Sequence, residues 1–562
     1  GDRGVETHSL LASAYKDLWE YSTDLQSKKK YGELAIARYE EAYSTNSFDN
    51  LRTSQQQDLE TQYYPCINVA FMHFMSGDLE KGRESAEKAR QICEKLKERG
   101  TYHYWIQVTE AEALLLLGSI EEAARVYMDA ASSKEAQTSQ IASTRKQALQ
   151  IAGVYEDAEV REKISLAFPK LGIVACSGHL IDGPGDSRRF PPEAETEAKR
   201  KIEEALEEMD ANCGYSSAAC GTDILFLETM AERGGETHVF LPFAKQEFIE
   251  TSVRRSDGNW VDRFEKVLDQ ATSVHYVTKE GYNGEDSLFS FCNEIMLGFT
   301  AMRGRGLDET PKLLTFWDGQ RGSTGGTGEL VDRWRANFNE PLVICANEVL
   351  SSLAGAGLSS SNAEASPASP VAKDKGGKKV SRAVKVMIFA DVEGFSKVPE
   401  ALTPVFVEKF LGGVSGMIES LSKPPAFVNT WGDSFFAVFD DLDDALNLAM
   451  QLRDYFSKGD WSELDLRDGL EVRISMHAGP VYEEFDPILQ RRNFFGQHVN
   501  QAARIEPIVL PGSVFVSEIM AALLSFGHDD FDFEYVGNLE LAKNYGSHPI
   551  YILQRTGYKD SI

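Results

Sequence analysis

Two stretches decide the C-terminal fold: FADVEGFS (Phe389–Ser396) and TWGDSFF (Thr430–Phe436). Each sets an aspartate, Asp391 or Asp433, against an apolar run with strand character. VKVMIFA (Val384–Ala390) precedes the first, and FFAVF (Phe435–Phe439) follows the second. Two carboxylates at neighbouring strand ends can hold two divalent cations on one triphosphate, because hard cations prefer oxygen ligands. Further along, Asn500 and Arg504 in NQAAR stand at i, i+4 on one helical face. Lys543 follows in LELAKNYG. Around these motifs the text alternates strand and helix. Ala401–Ser420 reads as a helix, Leu442–Phe456 as an amphipathic helix, and Val472–Tyr482 as a strand.

Together these motifs, from Arg382 to Leu553, resemble a class III adenylyl/guanylyl (nucleotidyl) cyclase catalytic domain. The resemblance implies an α/β (α+β) domain with a ferredoxin-like βαββαβ core. It implies that a ribose 3′-oxygen attacks the α-phosphorus and pyrophosphate leaves. Asp391, Asp433 and the carbonyl of Val392 would hold two divalent cations, Mg²⁺ or Mn²⁺. The two aspartates lie 42 residues apart (433 − 391). Gly394, Phe395 and Ser396 would cradle phosphates, Arg504 would meet charge on the α-phosphate, Asn500 would orient the ribose, and Lys543 would hold the terminal phosphates. In this family the metal half and the Asn/Arg half come from different subunits, so one such domain per chain implies a head-to-tail homodimer.

Base selection departs from the family pattern. Adenylyl cyclases of this family read the base with a lysine and an aspartate or threonine, and guanylyl cyclases with a glutamate and a cysteine. The matching positions here are Asn429 and Asn493. Asparagine donates and accepts, so the pair fits neither purine code. ATP is the favoured substrate. A pyrimidine triphosphate, giving cCMP or cUMP as in bacterial antiphage signalling, and GTP stay open. Two readings of other classes are an inactive, cyclase-like nucleotide-binding scaffold and a nucleotide-processing hydrolase in the middle of the chain, using Asp223, Glu228 and His179.

At 562 residues the chain is too long for one core. Residues 1–165 read as helices. Helix pairs break at Gly77-Asp78 and Gly118-Ser119, 41 residues apart (118 − 77), with alanines at Ala86, Ala89, Ala123, Ala124 and Ala130 where helices approach closely. This is an all-α, TPR-like solenoid. YYPCINVA with YWIQVTEAEALLLLG resembles the TRAF-binding-type helical repeat domain of some signalling kinases, which implies a protein partner. In residues 166–350 strands alternate with helices, as in a Rossmann-like parallel sheet. This segment resembles the SLOG superfamily of nucleotide-related ligand sensors. Its candidate ligand site comprises Ser177, Gly178 and His179, then Gly221, Thr222 and Asp223, then Gly325, Gly326 and Thr327 before a helix. Residues 351–381 are rich in Ser, Ala, Gly and Pro and read as a flexible linker to the cyclase-like domain, 382–562. The expectation is that the first two domains move relative to the third and control it.

The formal net charge of −29 argues against a nucleic-acid binder and against an anionic membrane surface. No run of 18 apolar residues occurs, so no membrane span is expected. Seven cysteines without a CxxC pair suit reduced thiols and a cytoplasmic setting.

Overall fold

The computed structural model describes residues 25–44, 56–355, 381–464 and 470–556, apart from 134–135, 137, 187, 256–257, 308, 323, 396–397 and 529, together with scattered positions between 8 and 19. Ser396 and most of the expected linker lie outside the described residues. The described residues form two compact units, one within residues 1–170 together with 306–307, the other within residues 171–305 and 309–556.

The first unit is helical: α1 (Leu25–Ser44), α2 (Gln56–Met75), α3 (Leu79–Glu98), α4 (Tyr104–Leu117), α5 (Ile120–Ala131), α6 (Thr138–Val154) and α7 (Ala158–Leu166). Gly77 and Gly118 both adopt φ of +87°, the left-handed conformation that ends a helix without a Cβ penalty. Ala86, Ala89, Ala123 and Ala130 are fully buried between helices, as the spacing predicts.

The second unit holds two sheets. One has six strands: β1 (Gly172–Gly178), β2 (Ala211–Ser216), β3 (Glu236–Leu241), β4 (Ser273–Tyr276), β5 (Lys312–Trp317) and β6 (Leu342–Cys345). They are ordered β4-β3-β2-β1-β5-β6 and all parallel. The order reverses between β1 and β5, the place where open parallel sheets leave a crevice. Helices α8 (Glu195–Glu208), α9 (Thr222–Glu232), α10 (Trp260–Gln270), α11 (Ser287–Leu307), α12 (Thr327–Asn337) and α13 (Ala346–Gly355) alternate with these strands.

The second sheet is built from β7 (Arg382–Glu393), β8 (Phe427–Trp431), β9 (Ser434–Phe439), β10 (Glu471–Asp486), β11 (Arg491–Phe495), β12 (Val514–Ser517), β13 (Phe531–Glu540) and β14 (Ser547–Arg555). Its order is β13-β14-β12-β10-β7-β9-β8, with β11 paired to β10. With α14 (Thr403–Ser420) and α15 (Leu442–Lys458), strands β7 to β10 make the expected βαββαβ unit. Its inner order, β10-β7-β9-β8, is the 4-1-3-2 order of a ferredoxin-like core. Helices α16 (Gln497–Ile505) and α17 (Glu518–Leu524) follow.

One membrane expectation changes. Among the described residues, Glu400–Ser420 is long and apolar enough by composition to cross a membrane, although Glu408 and Lys409 interrupt its apolar run. Its i, i+4, i+8 face of Phe406, Phe410 and Val414 is buried, with Phe410 against Phe456 of α15 at 5.8 Å. One face of the segment packs on this domain, while only 17% of its apolar window is buried.

The expected tether does not separate two free bodies. The parallel-sheet domain and the second sheet belong to one compact unit. Gly298 of α11 lies so close to the backbone of Ala522 in α17 that any side chain there would collide. Trp334 and Phe338 approach Phe526 at 6.5 and 5.4 Å. A Ser-, Ala-, Gly- and Pro-rich stretch between two domains says nothing about whether their faces fit.

Candidate active site

Asp391 stands near the end of β7, a strand paired on both sides. Cross-strand register places it opposite Arg473 of β10 and opposite Ser434 of β9. Ser434 Oγ donates to Asp391 Oδ1 at 2.6 Å, and Arg473 Nη2 donates to Oδ2 at 2.5 Å. Asp433 occupies the β8–β9 turn, made possible by Gly432 at φ +64°. The Val392 N–H donates to the Asp433 carbonyl at 3.3 Å, so the turn is tied to β7 beside Asp391. Burial first, then the Asp391 charge, holds the Asp433 carboxyl above the usual carboxylate range.

Two further residues join this cluster, and sequence reading missed both. Glu506 directly follows α16, and Arg473 Nε lies 3.3 Å from its Oε1 without hydrogen-bond alignment. Burial and the charges of Asp391, Asp433 and Glu393 push the Glu506 carboxyl up to about 7, against the lowering pull of Arg473. Arg473 also faces Glu393 at 3.5 Å. Three carboxylates, Asp391, Glu393 and Glu506, thus share one guanidinium, with Asp433 beside them. The available signals were a single arginine in the apolar strand VRISMHAG and a glutamate two residues past Arg504. The donor set is all hard oxygen, and Glu506 Oε1 is a buried oxygen with no hydrogen-bond partner among the described residues. These residues fit Mg²⁺ or Mn²⁺ rather than a soft metal. Gly394 takes φ +92° directly after β7, and the Phe395 ring packs on Phe406 at 4.5 Å, which fixes the start of the phosphate-side loop.

The second group sits on α16 and the loop that covers it. Asn500 is exposed and Arg504 half-buried. Arg504 makes no ion pair among the described residues. Ala542 N–H donates to the Arg504 carbonyl at 3.3 Å, and Tyr545 Oη donates to the Gln497 carbonyl at 3.2 Å. These bonds dock the Leu541–Gly546 loop on the helix. Lys543 and Asn544 there adopt φ of +62° and +57°, and Lys543 is exposed. The structure therefore brings Asn500, Arg504 and Lys543 to one place.

The two asparagines meet different fates. Arg491 Nη2 donates to Asn429 Oδ1 at 3.1 Å, and its guanidinium lies 4.6 Å above the Phe427 ring. Asn493 spends its amide locally: Nδ2 donates to Asp486 at 3.0 Å, and Oδ1 accepts from Phe494 N–H at 2.8 Å. Arg491, not Asn493, is the β11 side chain that meets Asn429. Arg492 pairs with Glu483 at 2.6 Å.

The candidate site of the parallel sheet is internally paired. Thr222 Oγ1 donates to the His179 carbonyl at 2.9 Å, and Gly178 leaves no room for a Cβ against Thr222. Gly221 has φ +98°, next to the backbone of His179 and Leu180. Burial pushes Asp223 up to about 7, where Ala219 N–H donates to it at 3.2 Å. His179 Nε2 accepts from Asp318 N–H at 3.0 Å, and Arg189 clamps Asp318 at 2.8 and 3.2 Å. At the start of α12, the Gly325 N–H expected to face an anion donates instead to Glu329 at 2.8 Å. The chain's own carboxylate caps that turn, beside Gly326 and Thr327.

Residues 379–555 match the family model described as the adenylate and guanylate cyclase catalytic domain, and residues 2–73 match the one described as Tetratricopeptide Repeats-Sensor. The C-terminal third is thus a class III cyclase catalytic domain, and the N-terminus carries sensor-type tetratricopeptide repeats. A germination-specific adenylate cyclase of Dictyostelium discoideum is 27% identical over 161 residues, 26% of this chain and 18% of that protein. An adenylate cyclase of Mycosarcoma maydis is 32% identical over 107 residues, 16% of this chain and 4% of that protein. The chain therefore spans a small fraction of the curated relatives it matches. The guanylate cyclase domain of RhGC from Catenaria anguillulae, solved with GTP, is 17% identical with a TM-score of 0.27, covering 31% of this chain and 96% of that one. The adenylyl cyclase CyaB from P. aeruginosa is 19% identical with a TM-score of 0.28, covering 32% and 96%.

Proposed function

We propose that this chain is a nucleotidyl cyclase that converts a nucleoside triphosphate to a 3′,5′-cyclic nucleotide and pyrophosphate as a homodimer. The observation that carries the reading is the placement of Asp391 and Asp433 side by side among carboxylates that outnumber their cations, in a domain that matches cyclase catalytic domains. Asp391, the Val392 carbonyl and Asp433 would hold divalent cations, which would supply neutralisation of phosphate charge and activation of the nucleophile. Arg473 keeps Asp391 aimed along the strand end, and Ser434 fixes its second oxygen. The Gly394–Phe395 backbone offers N–H groups to the phosphates. From the second subunit, Asn500 orients the ribose, Arg504 meets the charge that grows on the α-phosphate, and Lys543 holds the terminal phosphates. The 3′-oxygen forms its bond to the α-phosphorus as the bond to the leaving pyrophosphate breaks, and the 3′-hydroxyl proton passes to solvent water.

A second copy is supported by exposed apolar side chains on neighbouring hairpins: Trp431 (62% exposed) at the β8–β9 turn, and Phe485, Ile488 (89%) and Phe495 on β10–β11. ATP is the favoured substrate, in line with the names of the curated relatives. The Arg491–Asn429 bond and the locally satisfied Asn493 fit neither purine code, which keeps a pyrimidine triphosphate as the second reading. The N-terminal repeats offer a protein-binding surface. The parallel-sheet domain is read as a SLOG-like sensor of a nucleotide-like ligand, and the protein as cytoplasmic. Incubating the full chain with each of four nucleoside triphosphates and Mn²⁺, then identifying products by mass spectrometry, tests the proposal. One cyclic nucleotide with stoichiometric pyrophosphate is expected. Binding without product from any triphosphate would establish the scaffold alternative.

A further inference from the structure

Among the described residues, two buried polar contacts cross from the parallel-sheet domain to the cyclase domain, and both start in residues 277–285, just after β4. The first reaches α16. His498 Nε2 lies 3.0 Å from the Val277 carbonyl, and its Nδ1 lies 2.8 Å from His477 Nε2. His477 Nδ1 lies 2.7 Å from Ser517 Oγ. A carbonyl only accepts, so His498 Nε2 carries its proton, and every other role along the chain follows. Ser517 donates to His477, His477 to His498, and His498 to Val277. Each ring needs one proton, and burial keeps both imidazoles neutral, His498 down to about 4. Of the groups facing them, Arg382 also lowers His498, and His548 lowers His477. Gly479 of β10 makes room for this arrangement, since any side chain at that position would run into the His498 ring.

The second contact reaches the start of β7. Arg382 Nε donates to Glu285 Oε1 at 3.0 Å, Nη2 donates to the Gly281 carbonyl at 2.5 Å, and both side chains of the pair are only 2% exposed. Asn283 N–H adds a bond to Glu285 at 2.8 Å. Beside these contacts the seam is locally looser, although Gly298 and Ala522 pack tightly across it. A cavity of about 140 Å³ separates Phe240, His275 and Phe299 from Gln501, Glu518 and His548. A seam with such a gap depends on its specific polar contacts more than a solidly packed one does.

We propose that His498 is a positioning residue for cyclisation, through which the 277–285 segment of the parallel-sheet domain holds the catalytic helix in register. It precedes Asn500 by two residues and Arg504 by six, roughly 3 and 9 Å along the helix axis. The Arg382–Glu285 pair secures the same seam at the base of β7, whose far end carries Asp391. The segment follows the C-terminal end of β4, the edge at which parallel sheets take their ligands. The inference rests on the cyclase reading of α16.

The test uses the full chain. His498→Ala is expected to lower kcat roughly 10–100-fold, the scale of an ångström-size misplacement of a catalytic group, with KM for the triphosphate within about twofold. His498→Gln, whose amide can donate to Val277 and accept from His477, is expected to recover to within about fivefold of the parent. Amide hydrogen exchange across 497–505 is expected to quicken in His498→Ala. It is expected to quicken less in Glu285→Gln, a change made wholly within the parallel-sheet domain. Unchanged kcat together with unchanged exchange in His498→Ala overturns the proposal, and so does a glutamine variant as impaired as the alanine. Should the parent make no cyclic nucleotide at all, the cyclase reading fails by itself, and the exchange data alone decide whether the parallel-sheet domain holds this helix.

Discussion

The two sheets of the second unit each collect charged side chains at strand ends, yet they balance them differently. In the parallel sheet, Asp318 is clamped by Arg189 and meets His179, and Glu329 pairs with Arg333. A ligand there must displace bonds the chain already makes. At the end of β7, Asp391, Glu393 and Glu506 share Arg473, and Asp433 adds a fourth carboxylate beside them. Folding has left that cluster short of positive charge, which a divalent cation would supply. The contrast separates a region poised to receive charge from one that is self-sufficient.

Removing the cluster's central carboxylates tests the contrast most severely. Asp391→Ala or Asp433→Ala should cut cyclic nucleotide formation by roughly a thousandfold, several kcal/mol of transition-state stabilisation, with the circular dichroism spectrum unchanged. Retention of a tenth of the activity would remove these residues from the site. Mixing Asp391→Ala chains with Arg504→Ala chains should restore about a quarter of parental activity. Half of randomly paired dimers are mixed, and each mixed dimer has one intact centre of two. No recovery after demonstrated subunit exchange would place both halves in one chain.

The charge shortage also predicts a pH effect. The Glu506 carboxyl, raised to about 7, binds a proton more tightly folded than unfolded. Its contribution to stability is therefore present at low pH and lost as pH rises from its ordinary range through about 7. Glu506→Gln should accordingly raise the metal-free melting midpoint at pH 8 and change it little at pH 4.5. Mn²⁺ at pH 8 should stabilise the parent and narrow the gap between the two proteins. Equal shifts at both pH values would show that Glu506 feels no excess negative charge. The smallest expected effect concerns the base. Arg491→Ala frees Asn429 and should alter the ratio of kcat/KM between triphosphates by up to about tenfold, the worth of one hydrogen bond, while leaving the preferred substrate's kcat within a few-fold. An unaltered ratio would exclude this pair from base selection.

The chain order of strands and helices was legible because each element carries its own periodicity. Apolar runs flanking Asp391 and Asp433 marked strand ends, and Gly77 and Gly118 marked helix breaks, since these signals are local. Glu329 was equally local, four residues past Gly325, and its capping role went unread because a glycine-rich turn also suits an external anion.

Sequence alone determined the helical N-terminus, the alternating middle, the βαββαβ order and the chemistry available at Asp391, Asp433, Asn500 and Arg504. Tertiary structure decided the rest. Cross-strand register, a property of paired strands, set Arg473 opposite Asp391 and gave Arg491 to Asn429. The landing of α16 delivered Glu506 to the carboxylates. The fit of two surfaces, helped by glycines at 298 and 479, joined domains that the intervening text suggested would move apart. Such contacts join residues far apart along the chain, and no local pattern encodes them.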